Sequence, residues 1–549
     1  MTSEAMDARG VVDARSAVLD PEHVGDIRGA LGTIRHDDLA PRGRSAVLKT
    51  LLAIVGPGLI VMVGDNDAGA FATYGQAGQN YGTRLLWTLL LLVPVLYVNQ
   101  EMVVRLGAVT GVGHARLIME RFGKFWGAFS VVDLFILNAL TIVTEFIGVT
   151  LAAGYLGLPK IPAVLLAAVV VVAAAFTGDF RRFERIAMAF CGASLLLIPV
   201  YFLAHPAASE MTRGFVVPQL PGGAGGLSTV MLLVIGIVGT TVAPWQLFFQ
   251  QSYIVDKRIT PRFMKYEKAD LWIGILTVVV GGGAIMGATT VAFAHSHLFG
   301  HFTDTGGLAT GLQAYGGRAV GVLFAIALLD ASIIGAFAVS LSTAYAISDV
   351  FGIHHSLHRG VRSAKGFYFV YAAVIALAAT VVLIPGSPLG LLTEGVQALA
   401  GVLLPSASIY LLLLCNDREV LGPWVNGTKT NAFTGAVVAV VVALSVILTA
   451  AVLFPAISAH QILDIMIVCG AVGVLGGAFA LSRRLRAGGP TAEPVDRSGR
   501  ENWRMPPLHL LQRPTMSTGR KLGVGALQVY LAVATILVIV KIVELAIVR

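Results

Sequence analysis

The chain has 549 residues, 56% of them hydrophobic and only 13% charged, with a formal net charge of +8. A soluble globular protein carries roughly 25% charged residues, whereas here the apolar residues run in long blocks such as 85–98, 163–176 and 436–453. These properties exclude a soluble enzyme or a nucleic-acid-binding domain. They indicate a polytopic helical membrane protein whose positive charge sits in cytoplasmic loops.

Residues 1–46 are polar and mixed in charge; they read as a mobile cytoplasmic tail, without a secretory signal pattern. Spans are predicted near 47–72, 84–108, 127–153, 161–177, 184–204, 228–255, 270–294, 318–350, 366–385, 389–415, 431–455, 461–482 and 523–548. Arg42, Arg44 and Lys49 precede the first span. Arg116, Arg121 and Lys124 follow the second, and Arg181, Arg182 and Arg185 the fourth. Lys257, Arg258, Arg262, Lys265 and Lys268 follow the sixth, Arg359, Arg362 and Lys365 the eighth, and Arg483, Arg484 and Arg486 the twelfth. The opposite loops are nearly bare, which places the N-terminus in the cytoplasm of a multi-pass plasma-membrane protein. Cys191, Cys415 and Cys469 fall in or at the ends of hydrophobic segments and suggest neither disulfides nor a zinc motif.

The first span is unusual. At its centre lie Asp65, Asn66 and Asp67, flanked by Gly64 and Gly69. An unpaired charge at bilayer depth costs roughly 2.5–3.5 kcal/mol even on lenient scales, so two carboxylates there require a partner, and a cation is the natural one. The glycines let the helix open and turn its carbonyls inward. In the sixth span Pro244 removes a backbone donor, and Gly236 and Gly239 loosen the turns before it, so the stretch from Gly239 to Trp245 is a second break. Paired interrupted helices five spans apart point to a substrate site in an inverted-repeat transporter. The expected organisation is a first five-helix repeat over 47–204, an external loop over 205–227 and a second five-helix repeat over 228–415. Additional helices follow over 416–482, then a cytoplasmic linker over 483–522, rich in Arg, Pro and Gly, and a last transmembrane helix over 523–549. No Walker loop, dinucleotide glycine motif or nucleophile elbow is present.

Asn138, Thr141 and Glu145 lie at i, i+3 and i+7 on one face of the third span, either lining the inner pathway or bonding between helices. Asp270 is expected to cap a helix at the cytoplasmic edge, and Asp133 and Asp330 are further acidic residues near or inside spans. His295, His297 and His301 read as a solvated external loop.

Over residues 50–425 the sequence resembles the Nramp divalent-metal transporters, most closely their magnesium-transporting branch. Gly56-Pro57-Gly58 matches the opening of the family's first helix, and Asp67-Ala68-Gly69-Ala70 stands at its Asp-Pro-Gly-Asn. Gln76-Ala77-Gly78, Leu85-Leu86-Trp87 and Arg105-Leu106-Gly107 continue the match. So do Glu145-Phe146-Ile147-Gly148, Asn416-Asp417-Arg418 and Leu421-Gly422. Ala243-Pro244-Trp245 replaces Met-Pro-His, and Gln397 precedes Leu404-Pro405 at the spacing of a family glutamine near the ion.

The resemblance implies an all-α, LeuT-like fold with an inverted 5+5 repeat and broken helices 1 and 6. It implies a metal site drawn from Asp65, Asn66, Asp67, the Thr240 or Thr241 carbonyl, Ala243 and Gln397. Gly69, Ala70, Glu145, Pro244, Trp245, Asn138 and Thr141 belong to its surroundings or pathway. Loss of the family's Met at Ala243 and its Asn at Ala70, with gain of Asp65 and Asn66, suits a hard, partly hydrated ion, most of all Mg²⁺. The family's proton relay has Ile142 and Trp245 at its Asp and His positions, and no arginine in the ninth span, so transport without proton coupling is expected. The alternatives are a proton-coupled Mn²⁺/Fe²⁺ transporter, an organic-substrate symporter on the same fold, and a metal sensor without transport. No cofactor is implied; the partners are the transported ion and the bilayer, with no nucleic acid.

Overall fold

The computed structural model describes residues 18–35, 43–221, 226–385, 389–454, 457–486 and 496–512, with scattered positions between 523 and 540. Most of the last predicted span and residues 487–495 and 513–522 of the predicted linker lie outside this set.

The first predicted span is divided twice. Helix α1 (Arg44–Ile54) stops because Pro57 disfavours helix in the residue before it, and Gly56 takes a φ of 153° there. Helix α2 (Pro57–Gly64) departs from α1 at 46°. Proline suits this first helical position because its missing N–H would be unpaired anyway. The other orphan donors of α2 are met from a distant helix: Asp270 accepts from Gly58 N at 2.6 Å and from Leu59 N at 3.3 Å. Asp270 thus caps a helix as expected, across 212 residues of chain. After Asp65-Asn66-Asp67 the chain resumes as α3 (Ala68–Tyr81).

Helices α4 (Trp87–Thr110), α5 (His114–Phe122), α6 (Lys124–Tyr155) and α7 (Lys160–Ala175) follow. The fifth span is α8 (Phe180–Ala193), a short 3₁₀ turn and α9 (Leu197–Ala204). Beyond the short helix α10 (Ala208–Val216), the sixth span divides into α11 (Gly226–Thr241) and α12 (Pro244–Asp256). Then come α13 (Met264–Phe293), α14 (Thr305–Gly316), α15 (Arg318–Phe351), α16 (Lys365–Leu383), α17 (Leu389–Cys415), α18 (Thr428–Leu453) and α19 (Ala459–Arg486). Among the described residues 10 helices are long and apolar enough to cross a membrane, or 11 if α1 and α2 count together. The chain is an all-α polytopic membrane protein.

Two segments read as free from the sequence are docked. Ile27–Gly29 and Gly32–Ile34 form a two-stranded hairpin against Ala53 of α1. Arg181 donates to Gly29 O at 2.9 Å and Arg185 to Ala30 O at 3.1 Å. Asp20 takes Arg359 in a two-pronged pair at 2.6 and 2.9 Å, and Arg258 holds Glu22 at 3.1 Å. Residues 18–35 are therefore a fixed strap and not a tail. Likewise part of the predicted linker packs down: Met505 N bonds Val109 O at 3.2 Å, and Arg500 O accepts from the Trp424 indole at 2.8 Å.

In the bundle interior small residues let backbones approach, the packing mode available without a hydrophobic driving force between helices in lipid. Gly335 of α15 is the sharpest case. A Cβ there would stand 2.7 Å from the Glu145 carboxyl and 3.0 Å from Cβ of Asp67. Helices α6 and α15 thus close directly around the first break.

Candidate metal centre

The two breaks face each other. Asp67 adopts extended geometry (ψ −174°) and caps α3, its Oδ1 accepting from Ala70 N at 2.8 Å. Glu145 Oε2 accepts from Ala68 N at 3.2 Å, so two carboxyl groups share the first turn of α3 and both touch Gly335. That helix N-terminus favours negative charge, and two contiguous buried carboxyls are relieved either by a proton held between them or by a cation alongside.

Asp65 is fully buried. Its Oδ1 accepts from Gln246 Nε2, while Oδ2 has no partner among the described residues. Gln246 stands on the first turn of α12, and its Oε1 accepts from Gln100 of α4 at 2.8 Å. Gln246 also reaches Thr241 O at 3.4 Å. The chain Gln100–Gln246–Asp65 therefore ties the second break to the first.

At the second break the cause of carbonyl exposure is local. The residue four beyond Thr240 is Pro244, which has no N–H, so the helical partner of the Thr240 carbonyl does not exist. The Thr240 hydroxyl is also buried without a partner. Thr241 is differently engaged: its hydroxyl donates to Ile237 O at 2.6 Å and meets the Tyr74 hydroxyl at 2.7 Å. Ala243 O accepts from Gln246 N at 3.2 Å, and Ala243 brings only a methyl group to the site. Pro244 opens α12. The Trp245 ring packs beside Gly64 and Phe249, and its carbonyl accepts from Ser342 at 2.9 Å. Trp245 is thereby a wedge between α2, α12 and α15.

Gln397 of α17 touches both breaks. Its side-chain amide lies against Gly69, where any Cβ would overlap it, and its backbone carbonyl lies against Gly239. Its Nε2 is buried without a partner. The structure therefore brings Asp65, Asp67, Glu145, Gly69, Ala70 and Gln397 into one buried cluster, which the second break meets through Gly239 and Gln246. Asn66 stands slightly apart: it packs against Gly281 of α13 and lines a cleft of about 200 Å³ between α13 and the α8–α9 kink. Asn138 donates to Thr343 of α15 at 2.9 Å, the interhelical alternative, and Thr141 bonds back to Leu137 O at 2.9 Å.

Sequence reasoning missed Gln246, Gln100 and Tyr74. The available signal was a glutamine inside an apolar span directly after the proline break. Among the described residues no three His, Cys, Asp or Glu side chains form a metal cage, the histidines of 295–301 included. The side chains gathered in this cluster offer carboxylate, hydroxyl and amide oxygens and no sulfur, a chemistry that fits a hard cation.

A sequence model of the family described as natural resistance-associated macrophage protein-like (Nramp) matches residues 58–451. A divalent metal cation transporter MntH of Ralstonia nicotianae is 30% identical over 419 residues, covering 72% of this chain and 89% of the relative. Its counterpart in Burkholderia ambifaria is 28% identical over 428 residues, covering 74% and 90%. Among solved structures, a manganese transporter of Eremococcus coleocola superposes with a TM-score of 0.60 at 19% identity, covering 80% of this chain and 95% of that one.

Proposed function

The chain belongs to the Nramp family, and from that premise we propose that it carries a divalent metal ion inward across the plasma membrane, Mg²⁺ in partly hydrated form, without a coupled proton. Members of this family are transporters and not enzymes. One observation carries the reading. Two interrupted helices meet where Asp65 and Asp67 are buried, and the Asp65 Oδ2, Glu145 Oε1 and Thr240 hydroxyl oxygens are buried there with no hydrogen-bond partner among the described residues. Such groups are stable at that depth when a cation completes them.

The division of labour follows from position. Asp65 and Asp67 supply the charge. Gln246 orients Asp65, and the α3 N-terminus orients Asp67. Thr240 and Gln397 offer neutral oxygens to the ion or its retained waters. The methyl group of Ala243 supplies no soft ligand, so Mn²⁺ gains nothing over Mg²⁺ from sulfur. Mg²⁺ dehydrates reluctantly and is commonly held by one or two carboxylates with several waters kept. The membrane potential supplies roughly 4.6 kcal/mol per 100 mV for a doubly charged ion, enough to drive uptake of an abundant cation. The absence of arginine in α16 and of a titratable group at Trp245 supports transport without a proton relay. Basic loops before α2, between α4 and α6 and after α12 support a cytoplasmic N-terminus.

A second reading has an observation of its own. Glu145 lies against Asp67 and is the one acidic group so placed for a relay, which favours a proton-coupled Mn²⁺ transporter. Flux of Mg²⁺ and of Mn²⁺ into proteoliposomes holding a pH-sensitive dye separates the two. Mg²⁺ influx without acidification supports the proposal. Mn²⁺-selective influx with acidification replaces it with the second reading.

A further inference from the structure

One face of α6 runs the length of the transport axis. Ser130, Leu134 and Leu137 line a small cavity at its first half, Glu145 stands at the metal centre with Thr141 one turn before it, and Gly148 and Leu151 line a second cavity at its far half. Their separations of three and four residues keep them on one stripe of the helix. The first cavity is closed by Pro244 of α12 and Ser406 of α17, so it abuts the second break directly. Its volume is about 10 Å³, space for about one water. Asp133 also lines it, at i+3 from Ser130. Asp133 stands nine residues into α6, about 14 Å along the helix from Lys124 and about 18 Å short of Glu145. Its carboxyl makes no hydrogen bond or ion pair among the described residues, so it caps no helix and holds no basic side chain there. The remaining walls are apolar except for the Ser130 and Ser406 hydroxyls. A carboxylate kept unpaired in a membrane-embedded crevice, one cavity away from the ion site, marks an ion route.

We propose that Asp133 receives the cation on the cytoplasmic side of the metal centre, and that the ion leaves along the crevice between α6, α12 and α17. This rests on the transport reading above. Ser130 and Ser406 supply neutral oxygens along the crevice, and α12, whose first turn is set by Pro244, forms one of its walls. Asp133 contacts the ion at exit and contributes nothing to binding at the break.

The test is sided. In proteoliposomes of defined orientation, the half-saturating Mg²⁺ concentration is measured separately from the external and the cytoplasmic face. Asp133→Asn is expected to raise the cytoplasmic-face value at least fivefold and leave the external-face value unchanged, and Asp133→Glu to restore it. Equal values on both faces, or an equal change on both, would overturn the assignment. If the wild type carries no Mg²⁺ at all, the transport reading fails first, and labelling decides the crevice separately. Asp133→Cys in a Cys469→Ser background should react with a membrane-impermeant methanethiosulfonate from the cytoplasmic face only. Reaction from the external face alone, or none in folded protein, would show that no inner route passes Asp133.

Discussion

Replacing Asp65 with asparagine removes one charge from the centre and little else. Asn keeps the size of the side chain, and its carbonyl oxygen can still accept from Gln246, so the tie between the breaks survives. A unit charge about 4 Å from a doubly charged ion is worth about 8 kcal/mol at an effective dielectric of 20, and most of that is offset by the desolvation of both partners. Retained waters lengthen the distance and the amide dipole replaces part of the loss, leaving about 2–3 kcal/mol. That corresponds to a rise of roughly 30- to 150-fold in the half-saturating Mg²⁺ concentration. Without ion the sign reverses, because the variant no longer buries an unpaired carboxylate oxygen. Asp65→Asn should therefore melt above the wild type in chelator and lose the Mg²⁺-dependent rise in Tm. Flux is read with a Mg²⁺-sensitive dye in proteoliposomes, and Tm by intrinsic fluorescence in detergent. A half-saturation within threefold of wild type would refute the reasoning, as would a Tm that falls in chelator.

Other perturbations test neighbouring parts of the account. The double change Ala243→Met with Ala70→Asn adds a soft ligand and an amide, and should shift the Mn²⁺/Mg²⁺ uptake ratio toward Mn²⁺ by about tenfold; an unchanged ratio places selectivity elsewhere. Gln246→Leu leaves Asp65 without its orienting donor, and should cut uptake while Gln246→Glu cuts it further by adding a repelling charge; equal activity in both would remove Gln246 from the centre. At the N-terminal strap, burial opposes charging of His355, but Asp349 at 3.0 Å outweighs it and holds the imidazolium up to about 9. A raised folded pKa contributes stability that is complete below about 6.5 and is lost as pH climbs through 9, on the order of 3 kcal/mol. Thermal stability should fall between pH 7 and about 9.5, and His355→Gln should flatten that slope; an unaltered slope would detach it from this pair. Burial likewise opposes charging of Asp20, but Arg359 holds its carboxyl down at about 2. Arg359→Ala should therefore free residues 18–35 to limited proteolysis at neutral pH, and continued protection would show that the pair does not anchor the strap.

The breaks were legible because their causes are local. Acidic residues beside glycines cannot sit in lipid, and Pro244 removes a donor wherever it stands. The bend at Gly56 was not read from the same stretch, since hydropathy is continuous from Val47 to Ala72 and carries no record of direction; Pro57 was the signal that mattered. Gln246 was passed over because one amide after a proline looks like any polar residue on an apolar helix. Only its neighbours Gln100 and Asp65, at 146 and 181 residues' distance, give it a role. The strap failed for the same reason. Asp20 and Arg359 have no local pattern, and their pairing exists only once α15 and the segment after it are in place. Asn138 shows the converse: its spacing placed it on a polar face, but whether that face met the ion or Thr343 depended on how α15 packs.

The central claim is that the ion sits at the Asp65–Asp67 break and moves by its own gradient and the membrane potential. It is tested most directly by Mg²⁺ influx into proteoliposomes at imposed potentials, with wild type and Asp67→Ala side by side. The account predicts influx that rises as the interior is made negative, leaves the internal pH unchanged, and is lost in the variant. Influx that persists in Asp67→Ala, or no influx above protein-free vesicles, would contradict it.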